Sequence, residues 1–181
     1  ADGRRVAYVA DGELDDEFEA YTVDLSAATP GPAVLLGVAG NRIYDLHLTP
    51  DGSIALLEDI ASAEGDLYFF DTIQNTLVKK TSVGDPLLDL ATGISAQGRI
   101  TALHGTPSQA GVWSEANGWT DIPSPFSTNC DPNVGGSWDI SADGSVVVGF
   151  MWNGCSPQAF RWVDSGGAGT LTKLQLLGSP Y

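Results

Sequence analysis

The chain has 181 residues, 43% of them apolar, which is enough hydrophobic surface to build a continuous core. Its formal net charge of -15, from 23 acidic against eight basic residues, sets it against nucleic-acid backbones and anionic membrane faces. With 22 glycines and ten prolines along its length and no apolar run of about 18 residues, it reads as short strands joined by turns, with no helical bundle and no membrane insertion.

Ala1-Asp2-Gly3 opens the first of four copies of one pattern: ADGRRVAYV, TPDGSIALL, SAQGRITAL and SADGSVVVG. They align without gaps on Gly3, Gly52, Gly98 and Gly144, spaced about 46 to 49 residues apart, the period of a four-stranded propeller blade. No export signal of a basic segment followed by an apolar stretch is seen; because the chain opens inside a repeat, such a signal is expected upstream. In unit one, 1–48, the run Val6 to Val9 is read as an inner strand and the segment ending at Asp24 as the second. Pro32 to Val38 is read as the third and Arg42 to Leu48 as the fourth. Between the first two strands lie Asp11, Glu13, Asp15, Asp16, Glu17 and Glu19, hard oxygen ligands of the kind calcium takes. The calcium candidates are Asp11, Glu13, Asp15 and Asp16, but the run lacks the central glycine and terminal glutamate of a calcium loop, and a solvated acidic loop is the preferred reading.

Unit two, 49–94, takes its strands from Ile54 to Leu57, LYFFD ending at Asp71, Thr76 to Thr81 and Leu87 to Ile94. Thr49-Pro50-Asp51-Gly52 also fits the start of a capped helix running through Leu56 and Ala61. Alignment with SADGSVVVG, whose valines favour extended backbone, decides for a strand. Unit three, 95–140, uses Ile100 to Leu103, GVWS ending at Ser114, Trp119 to Ile122 and Gly136 to Ile140, and departs from the pattern with Gln97 in place of Asp. Unit four, 141–181, uses Val146 to Phe150, AFRWV ending at Val163 and Leu171 to Leu177. The expected fold is therefore all-β, a β-propeller-like array of four consecutive four-stranded antiparallel blades forming an incomplete ring. The whole chain, 1–181, is one partial domain whose last blade has three strands of its own, with the remaining blades supplied from elsewhere.

Gly3, Gly52, Gly98 and Gly144 suit a positive backbone angle, and Asp2, Asp51 and Asp143 suit hydrogen bonds to turn amides, so these residues are read as structural. His47 and His104 lack the spacing of a zinc site. Ser95, in TGISAQG, fails the Gly-x-Ser-x-Gly nucleophile pattern. No catalytic set and no cofactor motif emerges, calcium being the single weak candidate. Among five tryptophans, Trp113 and Trp162 fall at second-strand positions and read as core, whereas Trp119, after Asn117-Gly118, and Trp152, entering a loop, are candidates for stacking on a sugar or a protein partner. Cys130 and Cys155 fall in loops that emerge on the same face of neighbouring blades, so a disulfide between them is expected, in keeping with an oxidising compartment.

The first half, notably ADGRRVAYVADGELDDEFEAYTVDL and LTPDGSIALL with LYFFD, resembles the TolB-like propeller repeat, in which a polar-Asp-Gly turn opens a strand and a Tyr-x-x-Asp-like segment follows. The second half, notably DISADGSVVVGFMWNGCSPQAFRWVDSGG and GVWSEANGWTDI, resembles the HAF-type repeat of bacterial exported proteins, where Ser-x-Asp-Gly-x-x-x-x-Gly precedes an Ala-Phe-x-Trp strand. The resemblance implies periplasmic or extracellular residence and a scaffold or binding role toward a protein or glycan, with no catalytic residue to carry over. The rival implication is an accessory propeller of a hydrolase whose catalytic domain lies outside these residues. The sialidase-type turn, Ser-x-Asp-x-Gly-x-Thr-Trp, is absent from SADGSVVV.

Overall fold

A computed structural model describes residues 3–11, 18–36, 43–59, 66–82, 90–105, 109–125, 135–153, 155–166 and 169–175. Every regular element among them is a β-strand. The first sheet holds β1 (Arg5–Asp11), β2 (Phe18–Asp24) and β3 (Val34–Leu36). The second holds β4 (Ile43–Leu48), β5 (Ile54–Asp59), β6 (Asp66–Asp71) and β7 (Thr76–Ser82). The third holds β8 (Leu90–Ile94), β9 (Ile100–His104), β10 (Gln109–Ser114) and β11 (Gly118–Asp121), and the fourth β12 (Gly135–Ile140), β13 (Val146–Asn153), β14 (Ser156–Val163) and β15 (Thr170–Lys173). Each sheet is an antiparallel meander whose strands lie side by side in chain order, as successive short hairpins dictate. The stretch that also fitted a capped helix is strand β5, paired on both sides.

The repeat period holds, but the unit boundaries 1–48, 49–94, 95–140 and 141–181 are one strand out of phase with the sheets. The strand read as the last of each unit, for example Ile43–Leu48, is the first strand of the following sheet. The physical reason lies in the turn. Thr49 N donates to Ile54 O at 2.9 Å and Ser141 N to Val146 O at 2.8 Å, so the Asp-Gly turns at Gly52 and Gly144 are hairpins within one sheet and no link between sheets. The strand after each glycine is central in three sheets. As expected, residues 141–181 contribute three strands of their own to the fourth sheet, β13, β14 and β15, and β12 from the preceding unit completes it; the first sheet has three strands among the described residues.

Two compact units divide the chain, Ala1–Leu87 and Leu88–Tyr181, each containing two sheets. In the first, β4 lies against β1 and β2, and the core gathers Ala20, Leu36, Ile43, Ala55, Tyr68 and Phe70, with Val9, Leu46 and Leu48 at its margin. In the second, β12 lies against β8, β9 and β10, burying Val112, Ile140, Val147, Met151, Phe160 and Trp162. Truncating a fully buried ring such as Phe160 to alanine is expected to cost about 3 to 5 kcal/mol.

The first strands of the second, third and fourth sheets each carry a bulge, between Ile43 and Asp45, Ala91 and Gly93, and Ser137 and Asp139. Asp45 and Asp139, just past their bulges, accept the amides of Leu46 and Ile140 at 2.7 and 2.8 Å, which holds the local kink in place. Close backbone approach sets one further position. Gly149 on β13 faces Gly136 O, which occupies the space a β-carbon would need, and the Phe160 ring stands 2.9 Å from that space. Gly149→Ala is therefore expected to destabilise the second unit by about 2 kcal/mol or more, since both neighbours are packed and one is backbone. Chemical denaturation checks this, and an unchanged midpoint would refute the packing argument.

Candidate functional site

The polar side chains of the repeat converge at the Asp-Gly end of the sheets. Gly3, Gly52, Gly98 and Gly144 adopt φ of 70, 72, 74 and 71°, left-handed backbone that suits glycine. In the fourth sheet Asp143 Oδ1 accepts from Ser141 Oγ at 2.6 Å, Ser145 N at 3.0 Å and Ser145 Oγ at 2.8 Å, while Ser141 Oγ accepts from Val146 N at 2.9 Å. The second sheet repeats the arrangement with Thr49, Asp51 and Ser53. Hydrogen bonds to the ionised carboxylates, that of Ser141 foremost at Asp143 and that of Thr49 at Asp51, lower both pKa values, Asp143 to about 2.

The third turn solves the same problem without a carboxylate. Ser95 Oγ accepts from Gln97 N at 3.3 Å and Arg99 N at 3.1 Å, and the turn closes one residue earlier, from Ser95 N to Arg99 O at 2.9 Å. Ser95 is fully buried, so its hydroxyl is occupied in turn formation and closed to a substrate. Ala96 N donates to Ala142 O at 2.9 Å, tying this turn directly to the next.

Arginines just past the turn glycines then reach from one sheet to its neighbour within each unit. Arg99 donates to Gly144 O at 2.6 Å and pairs with Asp164 at 2.7 Å. Arg5 donates to Thr72 O at 2.9 Å and meets Asp24 at 3.4 Å. Thr72 and Asp164 occupy corresponding corners, their amides donating to Ser53 O and Ser145 O at 2.9 Å. A groove opens beside each arginine. The larger, of about 430 Å³, is lined by Arg99, Ser114, Asn117, Thr120 and Asp164. The smaller, of about 180 Å³, is lined by Arg5, Asp24, Ser26, Asp51 and Ser53. Each arginine has a carboxylate beside it, so the grooves carry hydrogen-bonding groups with little net charge.

The other sequence candidates lie elsewhere. Asp11 is exposed at the far end of β1, whereas Asp2, Glu13, Asp15, Asp16 and Cys130 fall outside the described residues. Among the described residues no three His, Cys, Asp or Glu side chains group to hold a metal ion. Trp119 is half-buried at the Asp-Gly end of its sheet, directly across from Trp113. Trp152, also half-buried, lies opposite Pro157 near the other end of β13, beside exposed Cys155. The two tryptophans therefore do not meet. Trp113 and Trp162 are core residues. The exposed indole is Trp138, 46% accessible and stacked on Phe150 at 6.0 Å; it occupies the β12 bulge, which an alternation pattern does not reveal. His47 Nε2 stands 3.3 Å from Asp45. Burial works to raise the Asp45 pKa, but the His47 hydrogen bond and charge with the Leu46 amide outweigh it and the net shift is downward.

The lowered pKa of Asp143 has a signed consequence. A folded-state value of about 2 against an ordinary 3.8 means that the ionised clamp stabilises the turn above about pH 4 and that this contribution fades as pH falls toward 2. A carboxyl titration of Asp143 by NMR should show a midpoint near the lower value. Ser141→Ala should move it upward, and an unchanged midpoint in that variant would contradict the assigned cause.

No protein-family model matches the sequence, and no curated protein matches it significantly. Solved structures match in fold. TolB from Acinetobacter baumannii aligns at 16% identity and a TM-score of 0.63, over 97% of this chain and 42% of that one. A prolyl endopeptidase aligns at 14% and 0.60, over 94% and 28%. The β-propeller domain of the Trilobed protease from Pyrococcus furiosus, which has an open velcro topology, aligns at 14% and 0.57, over 96% and 53%. The chain thus spans about half or less of each of these structures, and what it shares with them is the β-propeller fold.

Proposed function

We propose that this chain is a non-catalytic binding segment of a β-propeller protein, presenting its turn-end grooves to a protein partner. The observation that carries the reading is the arginine-bridged groove of about 430 Å³ beside Arg99, Asn117 and Thr120. Its charged groups are already paired, and the serine and aspartates of the repeat turns are already engaged in holding those turns. Such a surface favours recognition by hydrogen bonding over bond-making chemistry. TolB, a structural neighbour, supports export to the periplasm or beyond. Two neighbours drawn from a prolyl endopeptidase and a protease favour the second reading, an accessory propeller beside a separate hydrolytic domain.

Panning a peptide-display library, with a glycan array in parallel, against the folded chain tests the binding reading. Peptides recovered should lose at least tenfold in affinity to Thr120→Arg, which fills the groove, while the variant keeps its melting temperature. Recovered ligands indifferent to Thr120→Arg, or recovery of glycans alone, would overturn it. Peptide and glycoside substrates should show no turnover; turnover abolished by one substitution within the chain would overturn the non-catalytic assignment.

The proposed export rests also on a Cys130–Cys155 disulfide. The support is that Cys155 stands as a bonded and not a free thiol, and Cys130 is the one other cysteine in the chain. Thiol titration of unreduced protein from its native source should find none, and reduction should lower stability by about 3 kcal/mol through the freed unfolded chain. Two titratable thiols would remove this support.

A further inference from the structure

The outer margin of the first compact unit carries an apolar surface unlike the polar groove beside Arg99. Directly opposite residues of an antiparallel pair share a face of their sheet, as do residues two apart along a strand. Leu36 on β3 and Phe70 on β6 meet in the core between the first two sheets. Val34, two residues from Leu36 and opposite the buried Thr22, therefore lies on the side of the first sheet that faces the second. Leu77, opposite Phe70, lies on the side of the second sheet that faces the first. Both are nonetheless open to solvent, Val34 at 39% and Leu77 at 49%. The apolar surface of the two sheets thus runs on past their shared core, where sheet twist carries the outer strands apart. Ile73, 65% accessible in the β6–β7 turn, stands at the Asp-Gly end of this cleft and lines the smaller groove with Arg5, Asp24 and Ser26.

The fold does not require this exposure. In the second unit the residue opposite Val112 is Thr120, and Leu171, opposite Trp162, packs against the core. Nor does the turn require it. Asp71 Oδ1 accepts the amides of Ile73 and Gln74 at 2.8 Å each, so Ile73 serves the turn through its backbone and leaves its side chain to solvent. Beyond Leu77 the ladder bulges, and the extra residue, Val78, is exposed as well. Lys79 and Lys80 follow it, two of the eight basic residues in a chain of net charge -15. A bulge and consecutive lysines on an outer strand oppose edge-to-edge pairing, and the net charge opposes both a second copy of this chain and an anionic lipid surface. An apolar strip that ends in two lysines is complementary to an apolar segment with an acidic flank. We propose that Val34, Ile73 and Leu77 form a docking site for an apolar, acid-flanked segment of a partner polypeptide, the acidic flank matching Lys79 and Lys80.

The probe is the fluorescein-labelled synthetic peptide EELVILEE, added to the full chain, with KKLVILKK and EESGSGEE as controls. Binding of EELVILEE should be saturable and at least tenfold tighter than that of either control, a preference opposite to the one that a net charge of -15 alone imposes between glutamate and lysine peptides. Leu77→Ser and Ile73→Ser should each weaken it at least fivefold at an unchanged melting temperature, since both side chains are exposed. Lys79→Glu combined with Lys80→Glu should reverse the preference in favour of KKLVILKK. Should a variant fail to fold, the amide shifts of the unaltered chain decide: EELVILEE should move Val34, Ile73 and Leu77 more than any residue of the second unit. No saturable binding, KKLVILKK bound as tightly, serine variants that bind unchanged, or shifts centred elsewhere would each overturn the proposal. So would attachment to phosphatidylglycerol vesicles that Leu77→Ser abolishes, which identifies a lipid surface, or self-association that Leu77→Ser abolishes, which identifies a second copy. Thr120→Arg, on the other compact unit, should leave EELVILEE binding unchanged, so failure of the Arg99 groove and failure of this site are read separately.

Discussion

The left-handed glycine of the Asp-Gly hairpin is the constraint on which the rest of this structure depends. At φ near 70° the chain reverses in a tight turn, and a side chain in that conformation would be strained. Because the turn joins adjacent strands of one sheet, it sets the register of the hairpin and thereby decides which face each following residue occupies. In the second and fourth sheets that registration delivers Ala55 and Val147 to the core, both fully buried. The carboxylate two residues past Thr49 or Ser141 is secondary: it gathers donors from both sides of the reversal and fixes a conformation that the glycine makes possible.

Much of this was legible in the sequence because hydrophobic pattern and turn chemistry agree. The valine run after Gly144 and the aromatic run at Tyr68-Phe69-Phe70 announce strands without help from tertiary structure. The phase of the repeat was not legible. A glycine turn followed by an apolar run looks the same whether the turn joins two strands of one sheet or two sheets, since the distinction lies in which backbone groups pair across it. Only the bonds from Thr49 to Ile54 and from Ser141 to Val146 separate the alternatives. For the same reason exposure of Trp138 escaped notice. A bulge shifts the alternation by one residue, and the pattern GSWDI carries no residue that a bulge uniquely requires.

The candidate surface was less visible than the fold. Arg5 and Arg99 read as ordinary polar residues next to a turn, and their partners Thr72 and Asp164 are distant in sequence. What makes these pairs coherent is the repeat: both arginines reach a corner that is itself held to its own hairpin by an amide bond to Ser53 or Ser145. A partly exposed ion pair contributes modestly to stability, so the weight of the arrangement lies in positioning. It fixes the guanidinium against two sheets and leaves the lining hydroxyls and the Asn117 amide beside a groove of defined shape.

The third unit, which departs furthest from the repeat, shows why departures need not weaken a repeat fold. Gln97 cannot supply the carboxylate clamp, yet Ser95 replaces it from within and the turn shortens by one residue. Arg99 stands where the second and fourth turns have serine, and its length carries it to Gly144 O. Gly93 stands where the fourth sheet has Asp139, and a β-carbon there would crowd both the Asp139 carboxylate and the Thr101 hydroxyl at 3.1 Å. Thr92, beside it, donates to Ser137 O at 2.6 Å. Arg99, Gly93 and Thr92 thus face the fourth sheet, and Ala96 adds a backbone bond to it. The unit therefore exchanges self-contained turn chemistry for attachment to its neighbour, and the residues that blur the repeat in the sequence are those that join two sheets into one compact unit.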